Sequence, residues 1–150
     1  MRLRTSTDFG LRALMLLAAR PDRTVSTNEM ATGLGISRDH LTKVVQALAK
    51  AGFVATRRGK GGGFALARPA DTLTLGEVVR ALEADQPIVE CFRADGGACT
   101  LTPGCRLKGR LIAAREAFLR ELEATSLADC AYPDGLAPST AGASLTSAAT

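Results

Sequence analysis

The sequence predicts a mainly α fold with a small β-hairpin wing: a winged helix-turn-helix plus a long dimerisation helix. Three observations carry this expectation. Two helical patterns between Ser26 and Gly52 are joined across a glycine. Two short strand patterns follow, around a basic, glycine-rich turn. An amphipathic run over residues 106–127 is longer than so small a domain needs for itself. A helix-turn-helix followed by a basic hairpin is the order of a winged helix.

The elements follow in turn. Leu11, Leu14, Met15 and Ala18 recur on one helical face, predicting a helix over residues 7–19 that Pro21 ends. Ser26 and Glu29 are spaced as a capping box for a second helix reaching about residue 34. Gly35 makes the turn and Ser37 caps the third helix. Leu41, Val44, Val45 and Leu48 form its apolar face. Asp39, Thr42, Lys43, Gln46 and Lys50 stand opposite, flanked by Arg38 and His40, and Gly52 terminates it. Residues 53–58 and 64–68 read as strands around the glycine-rich turn 59–63. Thr74 and Glu77 form a second capping box, and Leu75, Val78, Val79 and Leu82 are its helix's buried face. In the last helix Leu107, Leu111, Ala114, Phe118 and Leu122 make a stripe, widened by Ile112 and Leu119. A helix over residues 106–127 is roughly 33 Å long. Its stripe needs a partner, which a second copy of the chain supplies most simply; the alternative is a helix folded back on its own domain. The organisation expected is a DNA-binding domain over 1–84, a cysteine loop over 85–105, a dimerisation helix over 106–130 and a disordered tail over 131–150.

Composition narrows the function. Of 150 residues, 46% are hydrophobic and 23% charged, as in an ordinary soluble domain. Residues 1–68 hold twelve Lys/Arg against four Asp/Glu, and residues 69–150 hold seven against eleven. Only the front half is suited to a polyanion. Aromatic residues are 4% and Trp is absent, which argues against a base-stacking platform for single strands. The longest apolar run, residues 13–19, is too short to cross a bilayer. Asp8 and Arg12 interrupt the N-terminal apolar stretch at helical spacing, so it reads as an amphipathic helix rather than a signal peptide. The expected location is cytoplasmic, where thiols stay reduced.

The polar face of the third helix suits a major groove. Arg38 and Lys43 can meet phosphates or guanine edges, Gln46 can read adenine and Asp39 can accept from cytosine. Thr42 lies on the same face. Arg57, Arg58 and Lys60 on the wing would contact the duplex backbone, adding affinity more than specificity. His40, the chain's one histidine, is placed for DNA contact or solvent rather than metal. The glycine-rich turn lacks the Gly-Lys-Ser/Thr ending of a nucleotide-binding loop. No nucleophile–base pair suggests an enzyme.

Cys91, Cys99 and Cys105 are spaced C-x7-C-x5-C. Structural zinc sites use tighter pairs and four protein ligands. The spacing favours an iron–sulfur cluster over zinc or metal-free redox thiols. The fourth ligand is open. Cys130 lies beyond the far end of the long helix, and Lys108 is protonated. Asp8, Glu90, Asp95, water or a small thiol remain.

The segments MRLRTSTDFGLRALM, RRGKGGGFALARPADTLTLGEVVRALE and C-x7-CTLTPGCRLK, within residues 1–129, resemble the Rrf-type winged-helix regulators, above all their nitric-oxide-sensing members. The resemblance implies a homodimer on an inverted-repeat operator in double-stranded DNA. It implies an iron–sulfur cluster, 4Fe-4S favoured over 2Fe-2S, held by Cys91, Cys99 and Cys105. Members that sense cluster supply carry a histidine where this chain has Lys108. Nitric-oxide-sensing members can use an aspartate of helix one from the other subunit, and Asp8 stands there. Arg12, one turn later, can orient or neutralise it. The seven-residue gap between Cys91 and Cys99 is longer than is usual in the family. The function expected is a repressor that releases DNA when nitric oxide destroys the cluster. The alternatives are a regulator sensing cluster supply or redox state, and an electron-transfer protein.

Overall fold

A computed structural model describes residues 2–59, 61–101 and 104–132. Lys60 of the wing and residues 133–150, most of the expected tail, lie outside that set.

Helix α1 spans Thr5–Ala18, α2 Thr27–Leu34 and α3 Arg38–Lys50. The hydroxyl of Ser37 accepts the His40 amide, as its position predicts. The box at Ser26 is only half formed: its hydroxyl accepts the Glu29 amide. The Glu29 carboxylate instead takes the guanidinium groups of Arg20 and Arg23, at 3.2 and 3.0 Å. Two charged donors outbid one neutral backbone amide for a carboxylate. Gly35 closes α2 in the left-handed region, φ 65°, which gives the tight turn into α3. Leu41, Val44, Val45 and Leu48 are buried, as their periodicity requires.

Strands β1 (Val54–Arg57) and β2 (Gly63–Leu66) are antiparallel, with Val54 opposite Leu66 and Arg57 opposite Gly63. Sequence reading missed a third member of this sheet. Val25 exchanges both backbone hydrogen bonds with Phe64, at 3.0 and 2.9 Å. A Cβ on Gly63 would lie 2.7 Å from the Val25 carbonyl carbon, so only glycine permits this approach. The bridge seats Phe64 in the core at 1% exposure, a burial that contributes on the order of 2–3 kcal/mol. Around Phe64 the core gathers Leu14, Leu17, Met30, Leu41, Leu48 and Leu73.

Helix α4 (Leu75–Leu82) carries the predicted capping box in full between Thr74 and Glu77. Helix α5 spans Arg106–Glu123, eighteen residues or roughly 27 Å, and ends four residues before the sequence pattern does. Beyond it the chain turns back. Leu75 donates its amide to Thr125 at 3.1 Å, and Leu127 donates to Leu73 at 2.7 Å. Leu127 is thereby fully buried in the winged-helix core. Burying that side chain and pairing these amides offsets the helical turn given up.

The C-terminal half of α5 packs on α4 through the buried Leu119, and Arg80 spans Glu116 and Glu123 at 3.3 and 2.9 Å. Other hydrophobics of the helix face outward: Leu107 is 62% exposed, Ile112 45% and Phe118 37%. One face of the stripe folds back on its own domain, and another has no cover among the described residues.

Candidate nucleic-acid interface and cysteine site

Helix α3 presents Arg38, Asp39, Thr42, Lys43 and Gln46 to solvent on one face, with the wing's Arg57 and Arg58 exposed alongside in the same domain. Among the described residues none of these four cations is engaged by a carboxylate, whereas Arg4, Arg12, Arg20, Arg23, Arg68, Arg80 and Arg93 all are. Unpaired guanidinium and ammonium groups meet phosphate without first giving up a partner. The Thr42 hydroxyl donates to the Arg38 carbonyl at 2.8 Å, which leaves its oxygen free to accept and its methyl free to pack. The wing's turn has Gly59 and Gly61 at positive φ, 97° and 79°. There glycine serves the turn geometry.

His40 is not simply a flanking solvent group. Its ring meets Phe9 of α1 edge to face, with centroids 5.2 Å apart and planes at 86°. The Arg12 guanidinium lies 5.7 Å from the Phe9 ring centre, and Arg12 in turn pairs with Asp8 at 2.8 Å. Helix α3 and the acidic end of α1 are thus in side-chain contact. Phe9 was not legible as part of the site, because an aromatic residue in a helix reads first as core.

The cysteine loop leaves α4 and enters α5. Cys91 sits in a short 3-10 turn, Glu90–Phe92, and Cys105 is the N-cap residue of α5. Cys91, Cys99, Cys105 and Cys130 are all free thiols and half-buried. Asp95 is committed within the loop: Arg93 holds it through two hydrogen bonds at 3.1 and 2.9 Å, and Gly97 donates its amide at 3.0 Å. The Arg93 hydrogen bonds, then the Gly97 amide, keep its carboxyl below the usual aspartate range. Glu90 is drawn to the same arginine, at 3.8 Å. Cys130 lies in the 3-10 turn Ala128–Cys130, past the far end of α5 from Cys105.

Among the described residues no three His, Cys, Asp or Glu side chains converge closely enough to hold a metal ion. A single chain does not assemble the set of Cys91, Cys99, Cys105 and Asp8. The donor chemistry nevertheless fits an iron–sulfur group: three unoxidised thiols on one short loop, beside a winged helix with a half-exposed carboxylate at Asp8.

Two polar residues beside Asp8 escaped the sequence reading. Thr7 is fully buried and Glu83 is 9% exposed, and the Thr7 hydroxyl donates to the Glu83 carboxylate. A signal existed. An acidic residue at a helix C-terminus faces the negative end of the helix dipole, and Glu83 is the C-cap residue of α4.

Residues 3–133 match the Rrf2 family, described as iron-dependent transcriptional regulators. Over 131 residues the chain is 44% identical to the HTH-type transcriptional regulator NsrR of Geobacillus kaustophilus, covering 86% of this chain and 88% of that protein. Among solved structures it is similar to CymR, the global cysteine regulator of B. subtilis. The TM-score is 0.70 at 28% identity, over 87% of this chain and 96% of that one. It is similar also to IscR of T. potens, at TM-score 0.65 and 25% identity over 86% and 85% of the two chains.

Proposed function

The chain belongs to the Rrf2 family of iron-dependent transcriptional regulators, and we propose that it is a homodimeric, cytoplasmic repressor whose iron–sulfur cluster senses nitric oxide. The observation that carries this reading is the contact line from Asp8 through Arg12 and Phe9 to His40 on α3. It joins the one carboxylate of α1 to the DNA-facing helix.

In this reading Cys91, Cys99 and Cys105 hold a cluster, 4Fe-4S by preference, and Asp8 of the partner subunit completes its ligands. The cluster, when bound, supplies iron to which nitric oxide binds. Asp8 is the one oxygen donor among thiolates. Arg12, on the same face one turn along α1, orients its carboxylate and re-pairs with it once it is free. Phe9 lies against both Arg12 and His40, so a shift of the Arg12 head is felt at the start of α3. The exposed Leu107, Ile112 and Phe118 cover one another across the two-fold axis. That axis sets the two α3 helices about one turn of duplex apart, roughly 34 Å, on an inverted repeat of double-stranded DNA. Arg38, Asp39, His40, Thr42, Lys43 and Gln46 face the groove, and Arg57, Arg58 and Lys60 its backbone. Lys108 occupies the position that is histidine in members sensing cluster supply, which favours the nitric-oxide reading over that one.

The test is anaerobic purification followed by a nitric-oxide titration, with absorption and DNA mobility shift read together. The expected protein is brown, and nitric oxide bleaches it and releases the operator in parallel. A colourless, iron-free protein that binds its operator tightly and ignores nitric oxide overturns the proposal.

A further inference from the structure

Helix α1 begins without a cap of its own. Its N-cap residue is Arg4, whose side chain makes no capping hydrogen bond. The orphan amides at a helix start normally find a Ser, Thr or Asp oxygen nearby in sequence. Here the acceptor comes from another helix. Oε1 of Glu83 takes the Arg4 amide at 3.0 Å and also the Thr7 hydroxyl, while Arg4 Nε stands 3.6 Å from Oε2. Glu83 thus does from α4 what a glutamate at the third position of α1 would do in a local capping box, and Thr7 occupies that third position. Its negative charge also complements the positive end of the α1 dipole. One turn on, a Cβ at Gly10 would be 3.1 Å from Leu82 Cδ1, so α1 and the end of α4 are in close packing on both sides of Asp8.

Glu83 is equally the root of the cysteine loop. Its amide donates to Val79 at 2.9 Å, closing α4, and its carbonyl accepts from Gln86 at 2.9 Å as the chain turns toward Cys91. One buried residue therefore joins the two: its side chain holds the helical turn that carries Asp8, and its backbone starts the segment that carries the thiols.

We propose that Glu83 is the positioning residue for Asp8, a tertiary cap that holds the first turn of α1 so that the carboxylate is presented to the partner's cysteine loop. This rests on the reading of Asp8 as a ligand. The Asp8 amide bonds the Arg4 carbonyl at 3.0 Å, in the turn that Glu83 caps. Loss of the cap frays that turn first and leaves the buried middle of α1 folded.

Two measurements on the full-length dimer test this. In the cluster-free protein, Glu83→Ala speeds hydrogen exchange of the Asp8 amide about tenfold, the scale of a lost cap, and leaves Leu14 and Leu17 unchanged. Glu83→Gln, which keeps an acceptor for the Arg4 amide, restores most of the protection. In the loaded protein under anaerobic conditions, iron release to a ferrous chelator is about tenfold faster in Glu83→Ala than in the wild type. In the Asp8→Ala background the same change has no further effect, because two residues acting through one contact are not additive. Thr7→Val, which keeps the shape and removes the hydroxyl, carries the same test where Glu83→Ala does not fold. Unchanged exchange at Asp8 overturns the proposal. So does an equal acceleration of iron release in both backgrounds, which marks a merely structural residue. If Asp8→Ala releases iron at the wild-type rate, the ligand reading falls and this proposal with it. If Asp8→Ala is fast while Glu83→Ala is not, this proposal falls alone.

Discussion

Replacing Gly76 by alanine probes how α5 is seated on the winged helix. Gly76 lies in the first turn of α4, where alanine is favoured over glycine by up to about 1 kcal/mol on helix propensity alone. A propensity argument therefore predicts a stabler protein. The tertiary structure predicts the reverse. A Cβ there would stand 2.7 Å from the Glu123 amide nitrogen and 2.9 Å from its Cα, and would press on the Glu123 side chain as well. These are main-chain atoms of the last turn of α5, and they cannot rotate away. Relief requires that turn to retreat by roughly half an ångström or more, an overpacking that costs about 1–3 kcal/mol. Net of propensity, we expect a loss of about 1–2 kcal/mol, or roughly 3–8 °C in Tm for a chain of this size. Calorimetry measures it. Hydrogen exchange at the Leu127 amide, bonded to Leu73 at 2.7 Å, reports whether the α5 end is what moved. A Tm at or above that of the wild type refutes the close packing of α4 on α5 and the reasoning built on it.

Three further outcomes are expected. Arg57→Ala weakens binding to operator and unrelated duplex alike and makes the dependence of log K on log salt shallower by about one. Gln46→Ala relaxes discrimination at one base step by about 1–3 kcal/mol, read by competition with single-base operator variants. The third concerns pH. The Thr74 amide, then Arg68, holds the Glu77 carboxyl below its ordinary 4.5. A depressed carboxylate stabilises the fold above its unfolded value and loses that contribution as pH falls through its folded one. Glu77→Ala therefore lowers stability at neutral pH by about 0.5–1 kcal/mol as a lost cap, read as a drop in Tm, and the difference closes as pH falls below the ordinary carboxyl value of 4.5. A gap that persists in acid assigns the effect to packing instead.

Much of this protein was legible because its signals are local. The α3 face, the Ser37 cap, the Thr74–Glu77 box and the hairpin all depend on residues within a few positions of one another, where helical and strand periodicities act directly. The charge asymmetry and the spacing of Cys91, Cys99 and Cys105 are likewise facts of the chain alone. The sequence determined the fold class, the exposed polar face of α3 proposed to meet DNA, and the candidate thiols. It did not determine where α5 stops, because the burial of Leu127 against Leu73 competes with helix propensity across more than fifty residues of sequence. Nor could it show that Val25 joins the hairpin, that Phe9 touches His40, or that Glu83 caps a helix seventy-nine positions away. Each of these is a hydrogen bond or contact whose partner is fixed only when the helices have packed, so tertiary structure alone decided them.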